Sequence, residues 1–458
     1  MSKYLLPFLA AIGALLLAPA SLRAQESARP RVEAGDSGRL SLPAAAARAL
    51  VRYPSVAAAA AAEDEARAAA DEAETARLPT VRAFGSVFAY EKDMLVTPLH
   101  AFRPNMSPPF DDLLVQGGLN LSYLLLDGGA RGGRIRTAAA QADAARAARD
   151  AVALAVVDRV VSTYVEILGQ QEVLAAHDRR IVSLESERAR VQKLLDVGRA
   201  AEIDRLRVDA ALASAEADRT RVAVTLGRAE RDLAALVGGE VDETRASRLV
   251  PLNPAPAHPP PREPLVERAR RASPVVEEAR RRVAAAEAAV TVAKSARWPE
   301  ARLTGSYLAY GGGSTSFTGE WNAGVLVSVP LFDGATGKAI ARKTAALEVA
   351  RERLRQAELD AASEVDRALA VFQDAQARSA NLATAALRLE EVVRIQKLLL
   401  ETGQGTQTDY LDAEANLLAT RANLTRARLG EADARAGLAR AAGELTPAWL
   451  EENLEKRS

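Results

Sequence analysis

The sequence predicts an α+β membrane protein made of two tandem copies of one unit, each with a short helix, a strand pair, a long helix and a last short helix. Three observations lead to this fold class. The chain repeats itself at a fixed spacing, it contains two long stretches without proline, and it contains segments in which apolar and polar residues alternate.

The internal repeat is visible as two series of matches. A shift of 220 residues aligns Pro79 with Pro299. Further along, a shift of 206 residues aligns Asp127-Gly128 with Asp333-Gly334. The first copy therefore holds an insertion, which we place in the proline-containing loop before Asp127 because loops absorb extra length at little cost.

Composition limits the classes of function. The 458 residues include 60 Lys and Arg against 60 Asp and Glu, so the net charge gives no reason to expect binding to nucleic acid. The chain is 48% hydrophobic, with much alanine and only 4% aromatic residues, which favours closely packed helices over an enzyme core. Cysteine is absent and the three histidines are far apart in the sequence, so we predict no disulfide, metal site, cofactor or catalytic residue.

Residues 1–24 have the features of a secretory signal peptide. Lys3 precedes an apolar run that is short for a membrane span and is followed by small residues. We expect cleavage after Ala24, with Ala18-Pro19-Ala20 as the alternative site. Because the chain offers no cysteine for acylation, we expect an exported protein that is not a lipoprotein.

The first repeat is assigned to residues 25–250. Its first helix should run from Pro43 to Arg77 and end there, because the residue before Pro79 is disfavoured in the helical conformation. The remaining elements are expected as strands at about 81–90 and 114–126, a long helix at 134–197 and a helix at 202–237.

A linker with seven prolines, residues 251–264, separates this repeat from the second one at 265–443. There the first helix should run from Pro264 to Arg297. It is followed by strands at about 301–310 and 321–332, a long helix at 338–402, a helix at 406–443 and a C-terminal tail at 444–458.

The first long helix carries a coiled-coil pattern. Apolar side chains recur every three or four residues, which favours packing along a neighbouring helix. They are Val157, Val160, Tyr164, Ile167, Leu174, Ile181, Leu184, Val191 and Leu194. At about 1.5 Å per residue, each long helix would extend for roughly 90 Å.

The predicted strands favour a pore in a membrane. About ten tilted residues suffice to cross a bilayer, and in 114–126 and 321–332 the apolar residues alternate with small or polar ones. Four strands leave two open edges, whose unpaired backbone groups are costly in lipid. One chain therefore cannot close a barrel, whereas three chains would supply 12 strands, enough for a lumen. The residues alone leave open a soluble hairpin on a helical stalk.

Two copies of this element order, each with an Asp-Gly pair after its second strand, resemble the outer-membrane efflux proteins of the TolC type. The motifs are Leu126-Asp127-Gly128-Gly129, Leu331-Phe332-Asp333-Gly334, Leu400-Glu401-Thr402-Gly403 and Asp409-Tyr410-Leu411-Asp412-Ala413. The resemblance covers about residues 40–443. It implies a homotrimer in the outer membrane of a Gram-negative bacterium, with a 12-stranded barrel and a long periplasmic coiled-coil tunnel of helices.

The resemblance also implies partners. Proteins of this family are passive exit ducts that receive substrate from an inner-membrane transporter of the RND or ABC type through a periplasmic adaptor protein. We therefore expect contact with outer-membrane lipid and no enzyme activity. Two alternatives stay open: a periplasmic adaptor, which would be built around a single helical hairpin, and a soluble exported coiled-coil scaffold.

The turns between long and short helices are the candidate docking tips. Glycine permits the left-handed conformation that ends a helix, so Gly198 and Gly403 mark these turns. By the resemblance, the tips that an adaptor grips are Val197, Gly198, Arg199 and Ala200 in the first repeat, and Thr402, Gly403, Gln404 and Gly405 in the second.

Asp409 and Asp412 are the candidate residues of a periplasmic gate. They lie three residues apart and therefore on one helix face, and a threefold axis would gather six such carboxylates. Both match the entrance aspartates of the family, and Asp204 occupies the equivalent place in the first repeat.

The means of locking this gate differs from the family pattern. The family often has an arginine where this chain has Gly405, and commonly a tyrosine where it has Leu400. Arg207 or Arg205 is the candidate substitute.

The glycine-rich run at 128–133 lies between a strand and a helix, as a phosphate-binding loop would. Its spacing fits neither glycine fingerprint, and a long helix follows it. We interpret the run as a coupling between strand and helix.

Overall fold

The computed structural model describes residues 39–96, 110–252, 258–313 and 317–455. The predicted signal peptide and its cleavage site lie outside these residues. The chain divides into two compact units. Among the described residues, the first unit comprises 70–96, 110–137, 287–313 and 317–345, and the second comprises 39–69, 138–252, 258–286 and 346–455.

The same order of elements occurs twice along the chain. The first copy contains α1 (Leu42–Arg52), α2 (Pro54–Glu74), a 3-10 turn (Thr75–Arg77), β1 (Thr80–Leu95), β2 (Phe110–Leu126), α3 (Ala130–Asp196) and α4 (Glu202–Val237). The second contains α5 (Arg262–Ala272), α6 (Pro274–Ser295), β3 (Glu300–Gly311), β4 (Thr318–Ser328), α7 (Gly334–Glu401) and α8 (Gln407–Ala441). Within the described residues, no helix is both long and apolar enough to cross a membrane.

The first helix of each copy is broken in two, which corrects the single helices expected at Pro43–Arg77 and Pro264–Arg297. Tyr53 and Ser273 both adopt extended backbone conformations, with ψ of 127° and 121°. Each precedes a proline, whose ring excludes the helical conformation from the residue before it. The chain restarts as α2 and α6, because proline is well tolerated in the first turn of a helix.

Several element ends differ from the expected ones for identifiable reasons. Strand β4 ends at Ser328 instead of near 332, since Pro330 has no N–H to donate to a neighbouring strand. The linker expected to reach 264 ends earlier, because α5 begins at Arg262 and takes Pro264 into its first turn. The expected tail at 444–458 contains a further helix, α9 (Pro447–Asn453).

Both long helices begin four residues earlier than expected, at Ala130 and Gly334. The preceding aspartates explain this. Asp127 accepts hydrogen bonds from the backbone N–H groups of Gly129 and Arg131, and Asp333 accepts from Ala335 N and from the Thr336 hydroxyl. A carboxylate that accepts from the first free N–H groups of a helix stabilises its start.

The glycine-rich run after β2 belongs to this helix start. Gly128 and Gly129 adopt φ of 61° and 89°, a region that side chains other than glycine disfavour. These residues turn the chain from strand into helix.

The four strands form one antiparallel sheet in the order β1-β2-β3-β4. Arg82 lies opposite Asn120, which lies opposite Ser306, which lies opposite Asn322, so one row across the sheet is entirely polar. The neighbouring residues point to the other face. That face carries mostly apolar residues, among them Val81, Val87, Leu119, Leu121, Tyr307, Trp321, Val325 and Val327.

The largest apolar cluster lies in the second unit, where α3 packs with α1, α4, α8 and α9. The predicted coiled-coil residues Val157, Val160 and Ile167 of α3 are almost completely buried there. Leu450 and Leu454, in the segment expected to be a tail, are fully buried in the same cluster. The C-terminal segment is therefore part of the core.

Tyr164 of α3 joins distant parts of the chain in this core. Its hydroxyl lies 2.9 Å from the Leu40 carbonyl oxygen and 2.8 Å from that of Val250, and it accepts a hydrogen bond from Val250 N. Leu40 also pairs with Leu249 in a parallel bridge. Burial, followed by the charge of Glu455, raises the pKa of the Tyr164 hydroxyl, which therefore remains a donor at neutral pH.

Replacing Tyr164 by phenylalanine should destabilise the second unit. The ring would remain in place, but the backbone groups of Leu40 and Val250 would lose the one hydroxyl that they share, at a cost of about 1–3 kcal/mol. Denaturant unfolding in detergent, followed by circular dichroism, measures the change. Tyr53→Phe is the matched control, because Tyr53 only packs on the edge of the cluster. Equal effects of both substitutions would contradict the role of the Tyr164 hydroxyl.

Candidate functional site

The two turns predicted as docking tips have the same backbone geometry. Gly198 and Gly403 adopt φ of 72° and 73°. In the first turn Arg199 N donates to Leu194 O, and in the second Gln404 N donates to Leu399 O. These bonds satisfy carbonyl groups that the end of a helix leaves free.

The tip residues are accessible to a partner. Six of the eight are exposed: Val197, Gly198, Arg199, Thr402, Gly403 and Gln404. Ala200 and Gly405 are half-buried. A side chain on Gly405 would press against Leu399, since a Cβ at this position would lie 3.0 Å from the Leu399 Cβ.

Asp204 and Asp409, two of the three candidate gate residues, lie in the first turns of α4 and α8. Asp204 accepts a hydrogen bond from Ala201 N at 3.1 Å. Thr406 caps α8 by accepting from Asp409 N at 3.2 Å, and its hydroxyl donates to the Asp409 carboxylate at 2.6 Å. Both aspartates therefore stabilise helix starts in addition to any role in a gate.

Asp412 lies one turn further along α8 than Asp409, and both are exposed. Leu411, the buried residue between them, faces away from both carboxylates. The structure therefore places the two carboxylates on an accessible side of α8, as their spacing predicts.

The starts of α4 and α8 are joined directly. Arg207 of α4 donates to the hydroxyl of Thr408 at 2.7 Å. Arg205, the other arginine considered for the lock, bonds to Glu202 and Asp209 of its own helix. Of the two, Arg207 is the one that reaches the helix carrying Asp409.

A mixed apolar and polar contact holds the start of α8 against α3 and α4. Leu411 is buried with Leu184 and Val191 of α3 and Val208 of α4. This packing fixes the helix that carries the candidate gate aspartates.

Polar bonds accompany that packing, and sequence reasoning missed them. Arg190 of α3 donates to the side-chain oxygen of Gln407 at 3.0 Å, and Ser183 donates to Glu414 at 2.8 Å. Burial, followed by the charges of Glu414 and Glu187, raises the pKa of Tyr410. These residues lie more than 200 positions apart and follow no shared motif, so only the folded chain brings them together.

The described residues hold no cluster of three or more His, Cys, Asp or Glu side chains suited to binding a metal ion. The candidate site therefore consists of exposed turns, exposed carboxylates and contacts between helices.

Comparison with known proteins identifies the family. The family model "Outer membrane efflux protein" matches residues 45–239 and 265–444, one match for each repeat. No curated protein matches the chain.

Several solved structures have the same fold. A membrane protein from Pseudomonas aeruginosa has a TM-score of 0.75 at 22% identity, with 92% of each chain covered. The CmeC outer membrane channel of Campylobacter jejuni has a TM-score of 0.76 at 17% identity, covering 91% of this chain and 87% of that one. The open state of the MtrE outer membrane channel of Neisseria gonorrhoeae has a TM-score of 0.72 at 22% identity, covering 89% and 90%.

These findings confirm the predicted fold, with four antiparallel strands and long helices in two repeats. They also confirm the predicted outer-membrane location with a periplasmic helical part, and the prediction that the protein is a channel and not an enzyme. The family implies a trimeric channel that works with efflux pumps. The chain belongs to the outer membrane efflux protein family and is an efflux channel of the outer membrane.

Proposed function

We propose that three copies of the chain close one 12-stranded barrel, which conducts substrate passively from an inner-membrane pump and a periplasmic adaptor to the exterior. The observation that carries this proposal is the four-stranded sheet, in which β1 and β4 are edge strands. Edge N–H and C=O groups find no partner in hydrocarbon, so each edge needs a neighbouring copy.

The two faces of the sheet support a pore. The apolar face, with Leu119, Tyr307 and Trp321, suits contact with lipid, and the polar row from Arg82 to Asn322 suits a water-filled lumen. Membership of the efflux family decides against the two alternatives, a periplasmic adaptor and a soluble scaffold.

Purified protein should have the mass of three chains in detergent and should require detergent to stay in solution. Light scattering after size-exclusion chromatography, corrected for bound detergent, measures this mass. A single chain that stays soluble without detergent would contradict the shared barrel.

The adaptor-docking tips are the turns around Gly198 and Gly403. Their equal backbone geometry presents two similar exposed turns per chain, six in a trimer. Several copies of the adaptor hairpin can therefore bind to similar turns around the trimer. The pump that supplies the energy is an RND or ABC transporter, as the family resemblance implies.

The periplasmic gate is formed by Asp409 and Asp412 of α8, with Asp204 in the equivalent position on α4. Three copies bring six carboxylates from α8 around one axis, which attracts cations into the entrance. Adaptor contact at the neighbouring turns favours an open arrangement of these helices. It shifts the equilibrium from the closed arrangement towards an open one that already exists.

Replacing Asp409 and Asp412 together by asparagine should weaken the block of single-channel current by multivalent cations added on the periplasmic side. Asparagine keeps an oxygen for the Thr406 hydroxyl, so the start of α8 stays intact. Asp374→Asn is the control, because Asp374 is an exposed carboxylate of α7 outside the candidate gate. Unchanged block in the double variant would remove the gate assignment.

Arg207 locks the gate in the closed state through its bond to Thr408. This bond ties α8 to the first repeat, and it takes the place of the arginine that the family often has at the position of Gly405. The guanidinium group that locks the gate is then that of Arg207 in the first repeat, instead of an arginine at position 405 in the second.

Arg207→Ala should raise the fraction of time that single channels spend open, and should sensitise cells to large antibiotics that the closed channel excludes. Planar-bilayer recordings and growth assays measure the two effects. Arg205→Ala is the matched control, because it removes the same charge from the same helix without touching α8. Equal opening by both variants would assign the effect to charge alone and contradict the lock.

A further inference from the structure

The long helices α3 and α7 both begin where the strands end, and their first turns are basic. Residues 130–142 contain three arginines, residues 334–347 contain two lysines and one arginine, and neither range contains Asp or Glu. The end of α6 and the turn after it add Lys294 and Arg297, again with no acid between 288 and 298. Because the whole chain has equal numbers of basic and acidic residues, positive charge is concentrated at the helix ends next to the sheet.

These cations oppose the ordinary preference of a helix. The N-terminal end of a helix carries a partial positive charge, which favours acidic residues in the first turn. The helices that begin at the turns around Gly198 and Gly403 follow this rule, with Glu202 and Asp204 in α4 and Asp409 in α8. The first turns of α3 and α7 contain no acidic residue. Helix stability therefore does not account for the basic residues, whereas an anionic partner outside the helices does.

The basic collar comprises six exposed cations: Arg134, Arg136, Lys294, Arg297, Lys338 and Arg342. Helical side chains lean towards the N-terminus of their helix, which for α3 and α7 is the end that joins the sheet. Arg136 illustrates this direction, since a Cβ on Gly132 would lie 3.5 Å from the Arg136 Nη1 atom, one turn nearer the sheet. The end of α2 is not part of the collar, because Glu72 and Glu74 lie next to Arg77 there.

Acidic residues that adjoin the collar in the sequence are engaged elsewhere. Asp127 and Asp333 accept hydrogen bonds from the backbone at the starts of α3 and α7. Glu300 at the start of β3 forms an ion pair with Arg302 at 2.6 Å. These carboxylates therefore serve the helix caps and the strand, and the collar remains available to a partner.

The collar adjoins the part of the sheet that suits contact with lipid. Val81 and Val327 belong to the apolar face at the strand ends next to the helices, and they are 62% and 59% exposed. Trp298, just before β3, is 65% exposed, and tryptophan is typical of the boundary between lipid and water. Arg134 and Lys338 lie four residues into their helices, or about 6 Å, which matches a headgroup layer of roughly 5–8 Å.

We propose that the basic collar binds the phosphate groups of anionic phospholipids in the inner leaflet of the outer membrane. The inference rests on the proposed barrel, which places the apolar face of the sheet in lipid and the helix starts at the periplasmic surface of the membrane. Basic side chains are attracted to an anionic membrane surface within a Debye length, and arginine can bond to two phosphate oxygens at once. The collar thereby fixes the depth at which the barrel lies in the membrane.

Lipid retention by the purified protein tests the proposal. The full chain is kept in neutral detergent with equal amounts of phosphatidylglycerol and phosphatidylcholine, and native mass spectrometry counts the lipids that remain bound. The natural protein should retain phosphatidylglycerol in several-fold excess. Arg136→Gln with Arg342→Gln should remove most of this excess, because the loss of one cation near the surface weakens the attraction about fivefold.

Two further variants separate position from chemistry. Arg378→Gln with Arg388→Gln removes the same charge from exposed positions of α7 that begin about 54 Å beyond Arg342 along the helix, and should leave the excess unchanged. Arg136→Lys with Arg342→Lys keeps the charge at the collar and should retain the excess.

Equal retention of the two lipids by the natural protein would overturn the collar, and so would an equal loss in the remote and collar variants. Displacement of phosphatidylglycerol by an equal concentration of inorganic phosphate would assign the site to a soluble anion and overturn the lipid proposal. Conductance in bilayers of phosphatidylcholine alone tests the barrel separately. A protein that conducts there without preferring phosphatidylglycerol keeps the barrel and loses the collar, whereas one that conducts in no lipid overturns the barrel itself.

Discussion

The constraint on which the structure depends is the need of every strand for a hydrogen-bonding neighbour. The sheet in one chain has four strands and therefore two edges, β1 and β4. In water such edges are tolerated, but in hydrocarbon they are not. The polar row and the apolar face of the sheet fit the same setting, with water on one side and lipid on the other.

The internal repeat made much of the fold predictable. Positions such as Pro79 and Pro299 or Asp127 and Asp333 have the same local role in both copies, so each supports the interpretation of the other. The breaks before Pro54 and Pro274 were missed although these prolines also match. The residues on both sides of each break favour a helix, and this pattern hides a one-residue interruption.

The candidate site was predictable only where local geometry decides it. Glycine in the left-handed region marks both tips, and the three-residue spacing of Asp409 and Asp412 fixes their common face. The bonds of Arg190 to Gln407 and of Arg207 to Thr408 join residues about 200 positions apart. Such pairs depend on how helices pack, which no local pattern encodes.

The capping role of Asp409 has a consequence for how such an entrance can adapt to new cargo. Replacing Asp409 by a residue without a side-chain oxygen also removes a bond that holds the first turn of α8, so most changes at this position reduce the stability of the helix start. Asp412 lies one turn beyond the cap and takes no part in the bonds between Thr406 and Asp409. The charge at Asp412 can therefore change with less effect on the stability of α8 than the charge at Asp409.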